Sequence, residues 1–258
     1  MKTIIFFDVD NTIYNNTLGR IPEQTEKLLR ELSKREDVIL GLATGRGFKK
    51  LEIIQEVVDL FKYKVLINGS VVYMNDEIIY DHPISIDDIE EVLALTKGND
   101  FNVGMVGIDD EAVNYWDECV GYGMRALRGI SPKVDENFYK QHKIYQLWVF
   151  ADDEAKILEI AKRIKKFQVY PWHKGGADFT YPTINKAFGI KKAIEHESDF
   201  RLICVGDGAN DVKMIEMADI GIAMSNTRFD ELKEKAKHMA PHIKEDQLYD
   251  FFKSLNLI

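Results

Sequence analysis

Only two cysteines, Cys119 and Cys204, occur in 258 residues. They stand far apart and in different contexts, so neither a disulfide framework nor a cysteine metal site is expected, and the count suits a reducing compartment. Cys204 falls inside the apolar run Leu202–Val205, where a thiol behaves as a small hydrophobe. Long apolar runs are also missing, and none approaches the length that spans a bilayer. The N-terminal run Ile4–Phe7 is cut by Asp8, too early for the core of a signal peptide. The expected location is cytoplasmic. Positive charge is in deficit, with 34 Lys and Arg against 43 Asp and Glu and a net charge of −9. Nucleic-acid backbones demand a concentrated basic surface, so nucleic-acid binding is excluded as the main task. A small phosphorylated ligand needs only a local positive pocket and stays open. Nothing in the sequence implies an obligate protein partner.

With a hydrophobic fraction of 45% and a charged fraction of 30%, the chain has the composition of a globular protein able to bury a sizeable core. Apolar runs too short for helices alternate with amphipathic stretches. Ile4–Val9, Val38–Ala43 and Val65–Asn68 read as strands, and the segments after Pro22 and over Phe48–Leu60 read as helices. Val71–Met74 and Glu77–Tyr80 flank Asn75-Asp76 as a hairpin. The pattern changes near Pro83. Ser85-Ile86-Asp87-Asp88 resembles a capping box, Asn102–Ile108 and Ile144–Phe150 read as strands, and Asp152–Lys166 as a helix. The stretch between those strands, with Gly121, Gly123, Gly129 and Pro132, is poorly patterned. Phe167–Trp172 and Ala177–Tyr181 form a further strand pair. From Thr183 the alternation returns: helix Lys186–His196, strand Arg201–Val205, helix Ala209–Met217, strand Ile220–Ala223 and two C-terminal helices. These elements imply a discontinuous α/β core of residues 1–82 and 183–258, carrying an inserted α+β domain over 83–182.

Four strands end on polar residues suited to phosphate chemistry. Ile4–Phe7 runs into Asp8-Val9-Asp10-Asn11-Thr12, Val38–Ala43 into Thr44-Gly45-Arg46, Val65–Ile67 into Asn68-Gly69, and Leu202–Val205 into Gly206-Asp207-Gly208-Ala209-Asn210-Asp211. Open α/β sheets bind ligands outside the carboxyl ends of their strands. Asp8 and Asp10, two apart on a strand, share a side; one carboxylate can attack phosphorus while the other moves protons. An Asx turn explains the pair as well if it stands alone. Asp8, the carbonyl of Asp10 and Asp207, with Asn210 or Asp211 in direct contact or one layer out, offer hard oxygens for Mg²⁺; a helix cap is the plainer use of Asp207 or Asn210. The Thr44 hydroxyl and the amides beside it, including that of Gly45, can donate to a phosphoryl oxygen, and Thr44 can equally cap a helix. Lys186 can neutralise Asp8 and the transferring group, or be an exposed helical lysine. Arg46 and Asn68 are candidate substrate contacts, and His173 and Lys174 candidate contacts from the inserted domain.

Taken together, these segments resemble the four motifs of the haloacid dehalogenase superfamily of phosphatases. Asp8 to Thr12 is similar to the first motif, Thr44 to the second, Lys186 to the third and Gly206 through Asp211 to the fourth. Their order, the Asn68-Gly69 pair and the large insertion further resemble the Cof-type hydrolases. The resemblance implies a Rossmann-like parallel-sheet core with an inserted α/β cap over the catalytic crevice, Mg²⁺ dependence, and hydrolysis of phosphate monoesters of small metabolites. It makes Asp8 the nucleophile, Asp10 the acid and base, Thr44 and Lys186 the phosphate stabilisers and Asp207 a metal ligand. Asn11 stands where glycine is more usual, and Ala187 where Cof-type members often carry glycine. Two rival functions remain: a phosphomutase of the phosphomannomutase type, for which Arg125 and Arg128 would hold a second phosphate, and a non-catalytic sensor of a phosphorylated ligand.

Overall fold

The computed structural model describes residues 1–97, 101–125 and 131–258. Contacts cluster into two compact units: residues 1–46, 50–81 and 185–258 in the first, and 47–49 with 82–184 in the second.

The first unit opens with β1 (Lys2–Phe7), α1 (Glu23–Leu32), β2 (Val38–Ala43), β3 (Tyr63–Leu66), β4 (Val71–Met74) and β5 (Glu77–Asp81). The chain then forms the second unit from α2 (Ile86–Thr96), β6 (Asn102–Val106), β7 (Glu111–Val113), α3 (Glu118–Met124), β8 (Lys133–Val134), β9 (Gln146–Phe150), α4 (Glu154–Arg163), β10 (Gln168–His173) and β11 (Gly176–Thr180). It returns to the first with α5 (Lys186–Ala193), β12 (Phe200–Gly206), α6 (Val212–Met217), β13 (Ile220–Met224), α7 (Asp230–Lys235), β14 (His238–Ala240) and α8 (Leu248–Ser254).

The eight strands of the first unit form one sheet in the order β14-β13-β12-β1-β2-β3-β4-β5. Pairing is parallel from β14 to β3 and antiparallel across the β3–β4–β5 hairpins. Side chains alternate across β1. Ile4 and Phe6 join a core with Val65, Ile190, Cys204, Met214 and Leu232, under α5, α6 and α7. Phe7 points the other way and stacks on Phe252 of α8 at 5.9 Å. Both faces of the central strands are therefore buried, which is why they read as unbroken apolar runs. The second unit has a six-stranded sheet, β10-β11-β9-β6-β7-β8. One apolar core there joins Val103, Met105, Leu147, Val149 and Phe179 to Ile89 of α2 and Ile157 and Ile160 of α4.

Several elements differ from the sequence expectation. Phe48–Leu60 is not an α-helix but two 3₁₀ segments, Phe48–Ile54 and Val58–Leu60. Its buried residues Leu51, Ile54 and Val57 recur every third position, the period of a 3₁₀ turn. The amides of Gln55, Val57 and Leu60 accordingly donate three residues back. The poorly patterned stretch contains β7 and the short helix α3, capped by Asp117, which accepts from the Val120 amide at 2.9 Å. Gly123 of α3 weakens the helical pattern yet is required there, because a Cβ would lie 2.6 Å from the Phe150 ring. Arg128 lies outside the described residues. Arg125 is described, at the end of α3 over the ring of Tyr122.

Candidate active site

The carboxyl ends of β1, β2, β3 and β12 lie side by side in the sheet. The loops leaving them, together with the start of α5, bring together ten of the twelve candidate residues singled out from the sequence.

Asp8 follows β1 and is 5% exposed. Its amide donates to Val205 O at 2.9 Å, locking the β1 end onto β12. Lys186 opens α5, whose cap is Asn185, accepting from the Phe188 amide at 3.0 Å. The lysine is no surface residue: it is 1% exposed. Its ammonium donates to Asp8 Oδ1 at 2.6 Å and to Asp211 Oδ1 at 2.5 Å. The second Asp211 oxygen accepts the amides of Asp207 and Gly208 at 2.9 and 2.8 Å. Asp211 thus holds the β12 loop closed and the lysine in place.

Oxygens of Asp8, Asp207 and Asp211 all lie within 4.8 Å of one another. Against one ammonium, three ionised carboxylates leave an excess of two negative charges. Burial lifts the Asp8 carboxyl to about 7, against the pull of Lys186 and with help from Asp211 and Asp10. Burial and then the charge of Asp8 raise Asp207 well above the usual carboxylate range. Lys186 goes up as well, since Asp211 and Asp8 outweigh its desolvation. A cluster of hard oxygen donors with surplus negative charge is the environment a Mg²⁺ ion takes, so the residues present fit the cation.

Asp10 meets a different partner. Arg46 donates Nε to Asp10 Oδ2 at 2.8 Å and Nη2 to Oδ1 at 2.7 Å, a bidentate pair. Burial works to raise the Asp10 carboxyl, but the charge and hydrogen bonds of Arg46, with one from Asn16, hold it below its usual value. Asn11 adopts the left-handed conformation, φ 54°, one that asparagine tolerates where glycine is more usual. Thr44 is fully buried, and its hydroxyl oxygen accepts the Arg46 amide at 3.2 Å. That leaves its hydroxyl hydrogen for an acceptor. Gly45 sits between them, half-buried.

The β3 loop is tied to the β2 loop by two backbone bonds, Ile67 N to Arg46 O and Asn68 N to Thr44 O, each 3.0 Å. Ile67, Asn68 and Gly69 all have positive φ, 49°, 54° and 96°. A left-handed isoleucine is unusual, and strain of this kind gathers at functional sites. Asn68 is buried, and its side-chain carbonyl accepts from Asn210 Nδ2 at 2.8 Å. Lys174, the eleventh candidate, belongs to the second unit, exposed in the turn between β10 and β11. His173 beside it, the twelfth, packs its ring on Tyr122 at 4.6 Å.

Sequence reasoning overlooked Asn226. Its Nδ2 donates to Asn11 O at 3.0 Å and to Asp207 Oδ2 at 3.1 Å, and its Oδ1 accepts the Ile243 amide at 3.0 Å. The signal was there: β13 is a fifth apolar run with a polar tip, Ser225-Asn226-Thr227.

The sequence profile of the haloacid dehalogenase-like hydrolases matches residues 5–252. YkrA of Bacillus subtilis (strain 168), whose name marks it provisionally as a phosphatase, is 31% identical over 259 residues, covering 99% of this chain and 98% of YkrA. Among solved structures, a phosphatase of the same superfamily from Bacteroides thetaiotaomicron, BT1666, superposes with a TM-score of 0.89 at 22% identity. That match covers 100% of this chain and 96% of BT1666. A protein described as a subclass IIB sugar phosphatase, BT4131, gives 0.85 at 23% identity, with 100% of both chains covered. The structural matches share the fold, and the profile and YkrA carry the family: this chain belongs to the haloacid dehalogenase-like hydrolases.

Proposed function

We propose that the chain is a Mg²⁺-dependent phosphatase that hydrolyses phosphate monoesters of small metabolites, sugar phosphates foremost, through an aspartyl-phosphate on Asp8. The observation that carries this reading is the buried Asp8–Lys186–Asp211 chain beside Asp207. A nucleophilic carboxylate, its counter-cation and a set of hard oxygen ligands meet there at one strand end.

Lys186 holds Asp8 Oδ1, which orients the carboxylate and leaves Oδ2 to attack phosphorus as the ester P–O bond breaks. Asp10 delivers a proton to the departing oxygen, then takes one from the water that attacks phosphorus, freeing phosphate and restoring Asp8. The Arg46 fork keeps Asp10 ionised, the state suited to the water step. For the acid step the guanidinium turns to the substrate. The Thr44 hydroxyl and nearby amides donate to the phosphoryl oxygens, and Lys186 offsets their charge. Asp8, the Asp10 carbonyl and Asp207 would hold Mg²⁺, which when bound would add charge stabilisation at the transferring group. Asp211, with both oxygens engaged, holds Lys186 and the β12 loop, while Asn210 rests on Asn68 one layer out.

The substrate is a small phosphorylated metabolite, and the cell compartment is the cytoplasm; no described helix is long and apolar enough to cross a membrane. The test is phosphate release from sugar phosphates, nucleotides, pyridoxal phosphate and an aryl phosphate, with Mg²⁺ and with EDTA. Mg²⁺-dependent release that Asp8→Asn abolishes is expected. Release unchanged in Asp8→Asn contradicts the reading. Transfer between hydroxyls of one sugar without free phosphate favours a mutase, and binding without turnover favours a sensor.

A further inference from the structure

One side chain ties together four neighbouring strand ends. In the sheet order β14-β13-β12-β1, Asn226 stands two residues past β13. It grips the Ile243 amide beyond β14, the Asp207 carboxylate beyond β12 and the Asn11 carbonyl beyond β1, at 3.0, 3.1 and 3.0 Å. Its orientation is fixed by its partners. The Ile243 amide can only donate and the Asn11 carbonyl can only accept, so Oδ1 must face the first and Nδ2 the second.

The geometry points to Asn226 as a positioning residue for the divalent cation, one that fixes the Asp207 carboxylate by a hydrogen bond to Oδ2 and so presents Asp207 beside Asp8. The inference rests on the metal site proposed above. Thr12 donates to the other Asp207 oxygen at the long distance of 3.5 Å, leaving Asn226 the shorter of the two bonds. Without it, Asp207 is drawn away from its carboxylate neighbours by their repulsion, and the cation must supply the energy to bring it back. Outer hydrogen-bond partners of metal ligands are worth about 10–100-fold in metal affinity.

The experiment titrates the full-length protein, stripped of metal by chelation, with Mn²⁺ in a calorimeter. Asn226→Leu, which keeps the volume and branching but has no polar atoms, is compared with the wild type. Melting curves in EDTA report whether it folds, and Asn226→Ala replaces it if it does not. The expected result is one Mn²⁺ per wild-type chain and about 10–100-fold weaker binding by the folded variant. With the phosphate ester, the Mg²⁺ concentration for half-activation should rise while KM at saturating Mg²⁺ is unchanged. A merely structural role lowers the melting temperature and leaves the Mn²⁺ affinity of the folded variant at the wild-type value; that result overturns the inference alone. A wild type that binds no Mn²⁺ overturns the metal reading and the inference together.

Discussion

Replacing Lys186 by methionine removes an ammonium and little volume from a position that is 1% exposed. Two carboxylate oxygens, on Asp8 at 2.6 Å and on Asp211 at 2.5 Å, lose their donor at once. Breaking a buried ion pair from one side costs about 3–5 kcal/mol, because the remaining charge is left uncompensated. Asp8 is already lifted to about 7, so it can take a proton and relieve part of the penalty; the lower end, about 3 kcal/mol, is the expected value at neutral pH. Urea unfolding in EDTA measures it. A control, Lys192→Met, breaks the surface Lys192–Glu195 pair and a distant contact of the ammonium with the Tyr80 ring, 6.0 Å to its centroid, and should cost less than about 1 kcal/mol. Saturating Mg²⁺ should narrow the Lys186→Met gap, since a bound cation stabilises by about 2.7 kcal/mol at a hundred times its Kd and here also replaces a missing positive charge. Hydrolysis should fall by a factor of about 100 or more, as for loss of an oxyanion donor. A Lys186→Met protein as stable in EDTA as the Lys192→Met control would refute the reasoning.

Other consequences are simpler to state. Glu197 accepts from Lys62 Nζ at 2.8 Å and the Tyr63 hydroxyl at 2.6 Å, and these bonds pull its carboxyl from 4.5 down to about 2. A depressed carboxyl stabilises the fold above its unfolded value, here by about 3 kcal/mol. Glu197→Gln should therefore be less stable than wild type by roughly that amount at neutral pH, and chemical unfolding across an acid series should show the gap closing as pH falls from 4.5 through about 2. A gap that does not change with pH would contradict this. Gly69→Ala places a Cβ 2.2 Å from Asn185 O at φ 96°, so the turn must shift against the cap of α5. A loss of about 2 kcal/mol or more should appear in urea unfolding, with reduced turnover because Lys186 rides on that helix.

The strand ends that meet at the candidate site were legible because the pattern is local. An apolar run buried on both faces stands out, and Asp8, Thr44, Asn68 and Asp207 each follow such a run directly. The burial of Lys186 was not legible. Its helix has weak amphipathicity, and only the fold brings Asp8 and Asp211 to it across 178 and 25 residues of chain. Asn226 follows an apolar run as the other site residues do, but its partners, Asp207 and Asn11, are set only by the order β14-β13-β12-β1. The 3₁₀ segments were misread because leucine, isoleucine and valine at every third position sit close to a helical spacing. In the glycine-bearing stretch before β9, the required close approach of Gly123 to Phe150 masked a helix.

The central claim is that Asp8 becomes phosphorylated. Asp10→Asn cannot activate water but leaves Asp8 free to attack an aryl phosphate, whose leaving group needs no proton. Acid quench, peptic digestion and mass spectrometry of that variant should find a phosphoryl group on the peptide bearing Asp8, removable by hydroxylamine and absent when Asp8 is also changed to Asn. Turnover by the wild type with no phosphoryl group on the Asp8 peptide, or with one on another residue, would contradict the account.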